Sequence, residues 1–214
     1  ALSPHPANRR ARPAARTLAL PLLRPAAVLV PVTSPAAEQA PEVVVRELFV
    51  ELIAELEVLR AGQTLNPDSA RAVFARLLNP RIDYRTLARW ILRDYWTNSS
   101  DDQRERFLAA FQAYIINTYS LALSNGKDIS LVVRDNPTLR NNTAIVDSAF
   151  SVADATPVPL QFRMIERDNH WYLFDVSSSG VSLALTFRSD FNYVASEGGI
   201  EAVTSHLVQR GAGT

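Results

Sequence analysis

The chain has 214 residues, enough for one medium-sized domain with a real core, and its 22 basic and 22 acidic side chains cancel. It contains no cysteine, which excludes disulfides and thiolate metal sites. Residues 1–37 hold five arginines (Arg9, Arg10, Arg12, Arg16, Arg24) and no acid, so the remainder carries 17 basic against 22 acidic residues and lacks the basic face that nucleic-acid binding needs.

Eight of the 13 prolines fall within the first 41 residues. An arginine-rich start is followed by a mostly apolar stretch, Thr17 to Val32, and then by Ser34, Pro35, Ala36 and Ala37. This is the layout of a secretory signal peptide or leader. Pro21, Arg24 and Pro25 interrupt the apolar run too often for a membrane anchor. The expected organisation is a leader over 1–37 and a single domain over 38–214.

From Glu42 the period is helical. Val45, Leu48, Phe49, Leu52, Leu56 and Leu59 recur at three- and four-residue steps, and Gly62 follows the expected end. Asn66–Pro67 opens a second helix carrying Ala70, Val73, Phe74 and Leu77. A third begins after Asp83 and presents Leu87, Trp90, Ile91 and Tyr95. A fourth begins after Ser99–Ser100, runs to about Leu123, and presents Phe107, Phe111, Tyr114, Ile115 and Tyr119.

After Asn125–Gly126 the period falls to two. Ile129–Val133, Ala144–Val152 and Val158–Met164 alternate apolar with polar residues, and Asp168–Asn169 reads as a tight turn into a fourth strand, His170 to Val176. Helices at about 181–196 and 200–209, broken at Gly198–Gly199, close the chain. Helices, then four strands, then helices predict an α+β fold: a twisted antiparallel four-stranded sheet packed by N- and C-terminal helices in a cone of the NTF2-like type.

Motifs for chemistry are absent. The three histidines, His5, His170 and His206, share no ligand spacing, so no metal is expected. Ser177, Ser178, Ser179 and Ser182 form no nucleophile elbow, and no phosphate-cradling loop is present. Asp147 on a strand and Asp175 at a strand end are the candidate acid/base residues of an alternative, enzymatic reading. Against it, Asp147 sits on the polar face of an alternating strand, and Asp175 suits a structural acceptor before Gly180.

The apolar residues point elsewhere. Val146, Phe150, Phe162 and Met164 alternate with polar neighbours on adjacent strands, so one sheet face gathers all four. Phe111, Ile115 and Tyr119 on a helix, with Val181 and Leu185 after Gly180, are expected to close the space above them. Large side chains meeting where a curved sheet faces long helices often leave a pocket, here expected to be apolar.

Three stretches carry a recognisable pattern: RIDYRTLARWILRDYW at 81–96, the helix at 99–123 with Gln103, Arg104, Phe107 and Phe111, and the run at 157–191. Together they resemble the MlaC family of periplasmic phospholipid-binding proteins, also called toluene-tolerance proteins. The last stretch contains Asp175, Val176, Gly180, Val181, Ser182, Leu183, Arg188 and Phe191 in the family's Asp-Val, Gly-Val-Ser-Leu, Arg, Phe pattern. Ser179 stands where an acidic residue is frequent in the family. The resemblance implies a monomeric carrier in the periplasm of a Gram-negative bacterium, not an enzyme. Its one bound molecule is phospholipid cargo, with no cofactor. Its partners are an outer-membrane lipoprotein complex and an inner-membrane ABC transporter.

Overall fold

Pro41 opens the first helix, α1 (Pro41–Ala61), at a position where no amide partner is needed. Residues 39–125, 128–153 and 155–212 are described by a computed structural model and fall in one compact unit, Ala37–Thr214. The leader expected over 1–37 lies outside them. In α1 the three- and four-residue spacing buries Val44, Val45, Leu48, Leu52 and Leu56 on one stripe. Gly62 caps the helix in a right-handed conformation. The left-handed residue is Gln63, at φ 57°, after which the Thr64 and Leu65 amides both donate to the Leu59 carbonyl.

Helix α2 (Pro67–Leu77) starts from a capping box in which Asn66 accepts the Ser69 amide and Ser69 accepts the Asn66 amide. A 3₁₀ turn, Asn79–Arg81, leads to α3 (Tyr84–Leu92), whose N-cap Asp83 accepts from the Thr86 amide at 2.8 Å. The helix ends before Tyr95, because Arg93 turns the chain at φ 50° into the short α4 (Asp94–Thr97). Helix α5 (Asp101–Asn125) starts from a second capping box, Ser100 with Gln103.

Six strands follow: β1 (Ile129–Val133), β2 (Thr138–Arg140), β3 (Thr143–Val152), β4 (Val158–Arg167), β5 (His170–Ser178) and β6 (Val181–Ser182). They form one antiparallel sheet in the order β1-β3-β4-β5-β6, with β2 also on β3. The expected count of four strands is therefore corrected to six among the described residues. Strand β2 is exposed at every position and so shows no alternation, and β6 is only two residues long. Two positive-φ pairs make the tight hairpins: Asp168–Asn169 (51°, 60°) joins β4 to β5, and Ser179–Gly180 (49°, 82°) joins β5 to β6.

Helix α6 (Leu183–Ala212) is interrupted at Gly198–Gly199, as expected, and starts two residues later than the sequence reading because Val181 and Ser182 pair with β5. Three clusters hold the fold among the described residues, one of them Leu52, Leu56 and Val73 between α1 and α2. Phe107, Phe111, Phe187 and Phe191 interlock between α5 and α6 with ring centroids 5.3–6.3 Å apart. Val44, Val45 and Leu48 of α1 cover Ala144, Val146, Met164, Trp171 and Leu173 of the sheet.

Candidate functional site

The site lies where β4 and β5 meet the helical cluster. Phe162 and Val176 pair across β4 and β5, so their side chains share a face. Between Arg163 and Met164 the register slips, and β5 carries Phe174 as an extra residue. The slip turns Phe174 toward α3, where it meets Trp90 edge-on at 6.4 Å. Backbone pairing fixes the other wall: the Asp83 amide donates to the Leu173 carbonyl at 2.7 Å, and Ile82 bridges Leu173.

These contacts line an apolar cavity of about 240 Å³ that opens to the surface. Phe74 and Leu78 line it from α2 and the residue after it, with Ile82 and then Tyr84 and Leu87 of α3; Ile115 and Tyr119 line it from α5. The sheet supplies Phe162, Leu173, Phe174, Asp175 and Val176, and α6 adds Leu183 and Ala184. Sealed apolar cavities of about 150 Å³ admit small hydrocarbons, so this one has the volume and the lining to take hydrocarbon.

The polar groups in the wall are neutral or internally satisfied. Burial holds the Tyr84 phenol well above its ordinary pKa, and its hydroxyl has no hydrogen-bond partner among the described residues. Burial, with a smaller contribution from the neighbouring Tyr114, pushes Tyr119 up to about 12. Asp175 accepts from Ser182 Oγ at 2.7 Å and from the Ala184 amide at 3.0 Å. Ser182 in turn accepts the Leu185 amide at 3.1 Å, so both residues cap the N-terminus of α6.

Of the nine residues expected to line the pocket, Ile115, Tyr119 and Phe162 line this cavity. Val146, Phe150, Phe162 and Met164 share one sheet face, because Val146 pairs with Phe162 and Ala144 with Met164. Yet Val146 and Met164 are fully buried beneath α1 and do not line the cavity. Phe150 is half-buried opposite Leu131 and Val158, away from the cavity. Phe111 is fully buried one layer back, edge-on to Tyr84. Val181 and Leu185 are exposed: Val181 is the outward residue of β6, and Leu185 falls off the buried stripe Ala184, Phe187, Phe191 and Ala195. Asp147 does not line the cavity; it accepts from Gln161 at 2.8 Å in a separate polar cleft.

Sequence reasoning missed Phe74, Leu78, Ile82, Tyr84, Leu87, Leu173, Phe174, Val176, Leu183 and Ala184 as lining residues, and named Asp175 only as an acid/base candidate. The helical spacing of Tyr84 and Leu87 and the alternation of Leu173 were legible signals of burial. Nothing in the sequence revealed the bulge that brings Phe174 to the wall. Among the described residues no group of three or more His, Cys, Asp or Glu is placed to hold a metal ion, and no helix is long and apolar enough to cross a membrane.

The sequence model of the family described as MlaC protein matches residues 47–209. The intermembrane phospholipid transport system binding protein MlaC of Haemophilus influenzae is 22% identical over 180 residues, covering 81% of this chain and 83% of that protein. A phospholipid-binding protein of Ralstonia solanacearum, solved in complex with a phospholipid, superposes with a TM-score of 0.73 at 20% identity. That match covers 81% of this chain and 98% of the other, and shows a shared fold.

Proposed function

The chain belongs to the MlaC family, and from that premise we propose that it is a phospholipid carrier of the periplasm whose cavity between β4–β5 and the helices holds acyl chain. The almost wholly apolar 240 Å³ cavity, open on one side, is the observation that supports this reading. Each methylene left in water costs about 0.8 kcal/mol, so a lipid in transit needs such a shelter. Transfer from a bilayer to a dry cavity exchanges one apolar medium for another and is near neutral in free energy. Direction must then come from partners, here an outer-membrane lipoprotein complex and an inner-membrane ABC transporter, with this protein a monomeric shuttle that performs no catalysis. The cone-shaped enclosure expected from the sequence belongs to the same reading.

The cavity has room for part of one chain. A smaller hollow of about 40 Å³ lies beneath α1 and shares Leu78, Phe162 and Leu173 with it. Rotation of those three side chains is the route by which the cavity lengthens to take more hydrocarbon. The acid/base alternative is not favoured: both Asp175 oxygens are committed to the start of α6, and Asp147 faces another cleft. Native mass spectrometry of freshly purified protein tests the proposal. A mass increment equal to one phospholipid, released in organic solvent, supports it. Protein that carries no lipid and takes none from vesicles overturns it.

A further inference from the structure

A second concavity, of about 430 Å³, lies on the other side of Phe174. Its floor is a row across four strands: Thr138 pairs with Ile145, Ile145 with Arg163, and Arg163 with Asp175. Arg140 stands two residues along β2 from Thr138, on the same face. Trp90 of α3 forms the opposite wall, and the Arg163 guanidinium lies 5.5 Å from its ring centroid. Phe174 lines this cleft and the apolar cavity, and among the described residues no other lines both.

The charges in the cleft are unbalanced. Asp175 is the register neighbour of Arg163, but its carboxylate is turned to Ser182 and the Ala184 amide. Neither Arg140 nor Arg163 is in an ion pair among the described residues, although Arg46, Arg71, Arg76, Arg85, Arg104, Arg106 and Arg167 all are. Stacking on Trp90 holds the Arg163 guanidinium without using all its donors. Two such forks, with the Thr138 hydroxyl beside them, suit the oxygens of a phosphate ester, while the Thr143 hydroxyl is committed to the Arg140 carbonyl at 2.8 Å.

We propose that the Trp90–Arg140–Arg163 cleft is a phosphate-binding site. Its use for a phospholipid's own phosphate rests on the carrier reading. In that case the lipid straddles Phe174, with its phosphate in the cleft and its hydrocarbon in the cavity. A free phosphate ester presents the same chemistry.

The test uses lipid-stripped full-length protein, Arg140→Gln and Arg163→Gln, with Trp90→Phe as the fluorescence control. Inorganic phosphate is titrated against tryptophan emission. In parallel, retention of phosphatidylglycerol and of diacylglycerol is measured after incubation with phosphatidylcholine vesicles containing either lipid. Loss of one charge-assisted contact weakens binding about tenfold. A tenfold fall in phosphatidylglycerol retention in the arginine variants, with diacylglycerol unchanged, supports a lipid-phosphate site. A phosphate-dependent Trp90 signal lost in the variants, with lipid retention unchanged, supports a site for free phosphate esters. If neither phosphate response nor phosphatidylglycerol retention depends on the arginines, the site is overturned. A parent that retains neither lipid sinks the carrier reading alone, and the phosphate titration still decides the cleft.

Discussion

Ser182 Oγ lies 2.7 Å from Asp175 Oδ2, joining β5 to the residue that precedes α6 across the two-residue hairpin Ser179–Gly180. This contact sets the angle at which Leu183 and Ala184 enter the cavity wall, because Asp175 also accepts the Ala184 amide. The carboxylate thus acts as a tertiary cap, complementing the positive end of the helix dipole.

Removing that cap leaves a buried amide and a buried hydroxyl short of an acceptor. Asp175→Ala is expected to lose about 2–3 kcal/mol of stability, and Asp175→Asn less, since an amide oxygen still accepts. Urea denaturation measures both. Parent-like stability in Asp175→Ala means that the cap does not hold α6.

Val146 is fully buried between the sheet and α1 and does not itself line the apolar cavity. A carboxylate there has neither water nor a partner. Val146→Glu is expected to cost about 4 kcal/mol or more and to leave the chain largely unfolded. A folded variant, seen by near-ultraviolet circular dichroism, means that the α1 interface opens more easily than its burial implies.

Leu183 offers the clean separation of folding from cargo. It is half-buried, lines the cavity, and occupies the first turn of α6, where an acid is favourable to the helix. Leu183→Asp is therefore expected to fold with a melting temperature near the parent's. The new carboxylate at the cavity wall should lower phospholipid retention about tenfold or more. Equal retention by variant and parent places the cargo elsewhere.

Alkaline pH probes the two wall tyrosines. Burial raises both phenols above their unfolded value of about 10, Tyr119 to about 12 and Tyr84 further. In that window the unfolded chain has lost these protons while the folded protein keeps them, so stability falls as pH rises. The contribution is whole below about pH 10 and is lost as pH climbs through about 12. Melting temperatures across this range are expected to drop less for Tyr84→Phe/Tyr119→Phe than for the parent. An identical drop in both assigns the alkaline transition to other groups.

Much of the fold was legible because the periods were clean. The Val45–Leu48–Leu52–Leu56 stripe, the Ser100–Gln103 box, the Asp168–Asn169 turn and the break at Gly198–Gly199 each carry a local signal with one physical meaning. The α+β class followed from their order. Strand β2 was not legible, since three exposed residues leave no burial pattern, and β6 was hidden inside what reads as a helix start. The site was legible only in part. Alternation correctly put Val146, Phe162 and Met164 on one face, but it does not say which part of a face a helix fills. Helix α1 covers Val146 and Met164 and leaves Phe162 at the cavity. The register slip beside Arg163, which brings Phe174 to the wall, depends on strand pairing that no local pattern records.

The account stands on where the hydrocarbon lies. A phospholipid carrying a photoreactive diazirine at the end of one acyl chain, loaded into the protein and irradiated, marks that place covalently, and peptide mass spectrometry reads it out. Labelling is expected at Phe74, Leu87 and Ile115, which line the cavity from α2, α3 and α5. Labelling confined to exposed residues such as Val58, Val132 or Tyr193, with none in the cavity wall, would contradict it.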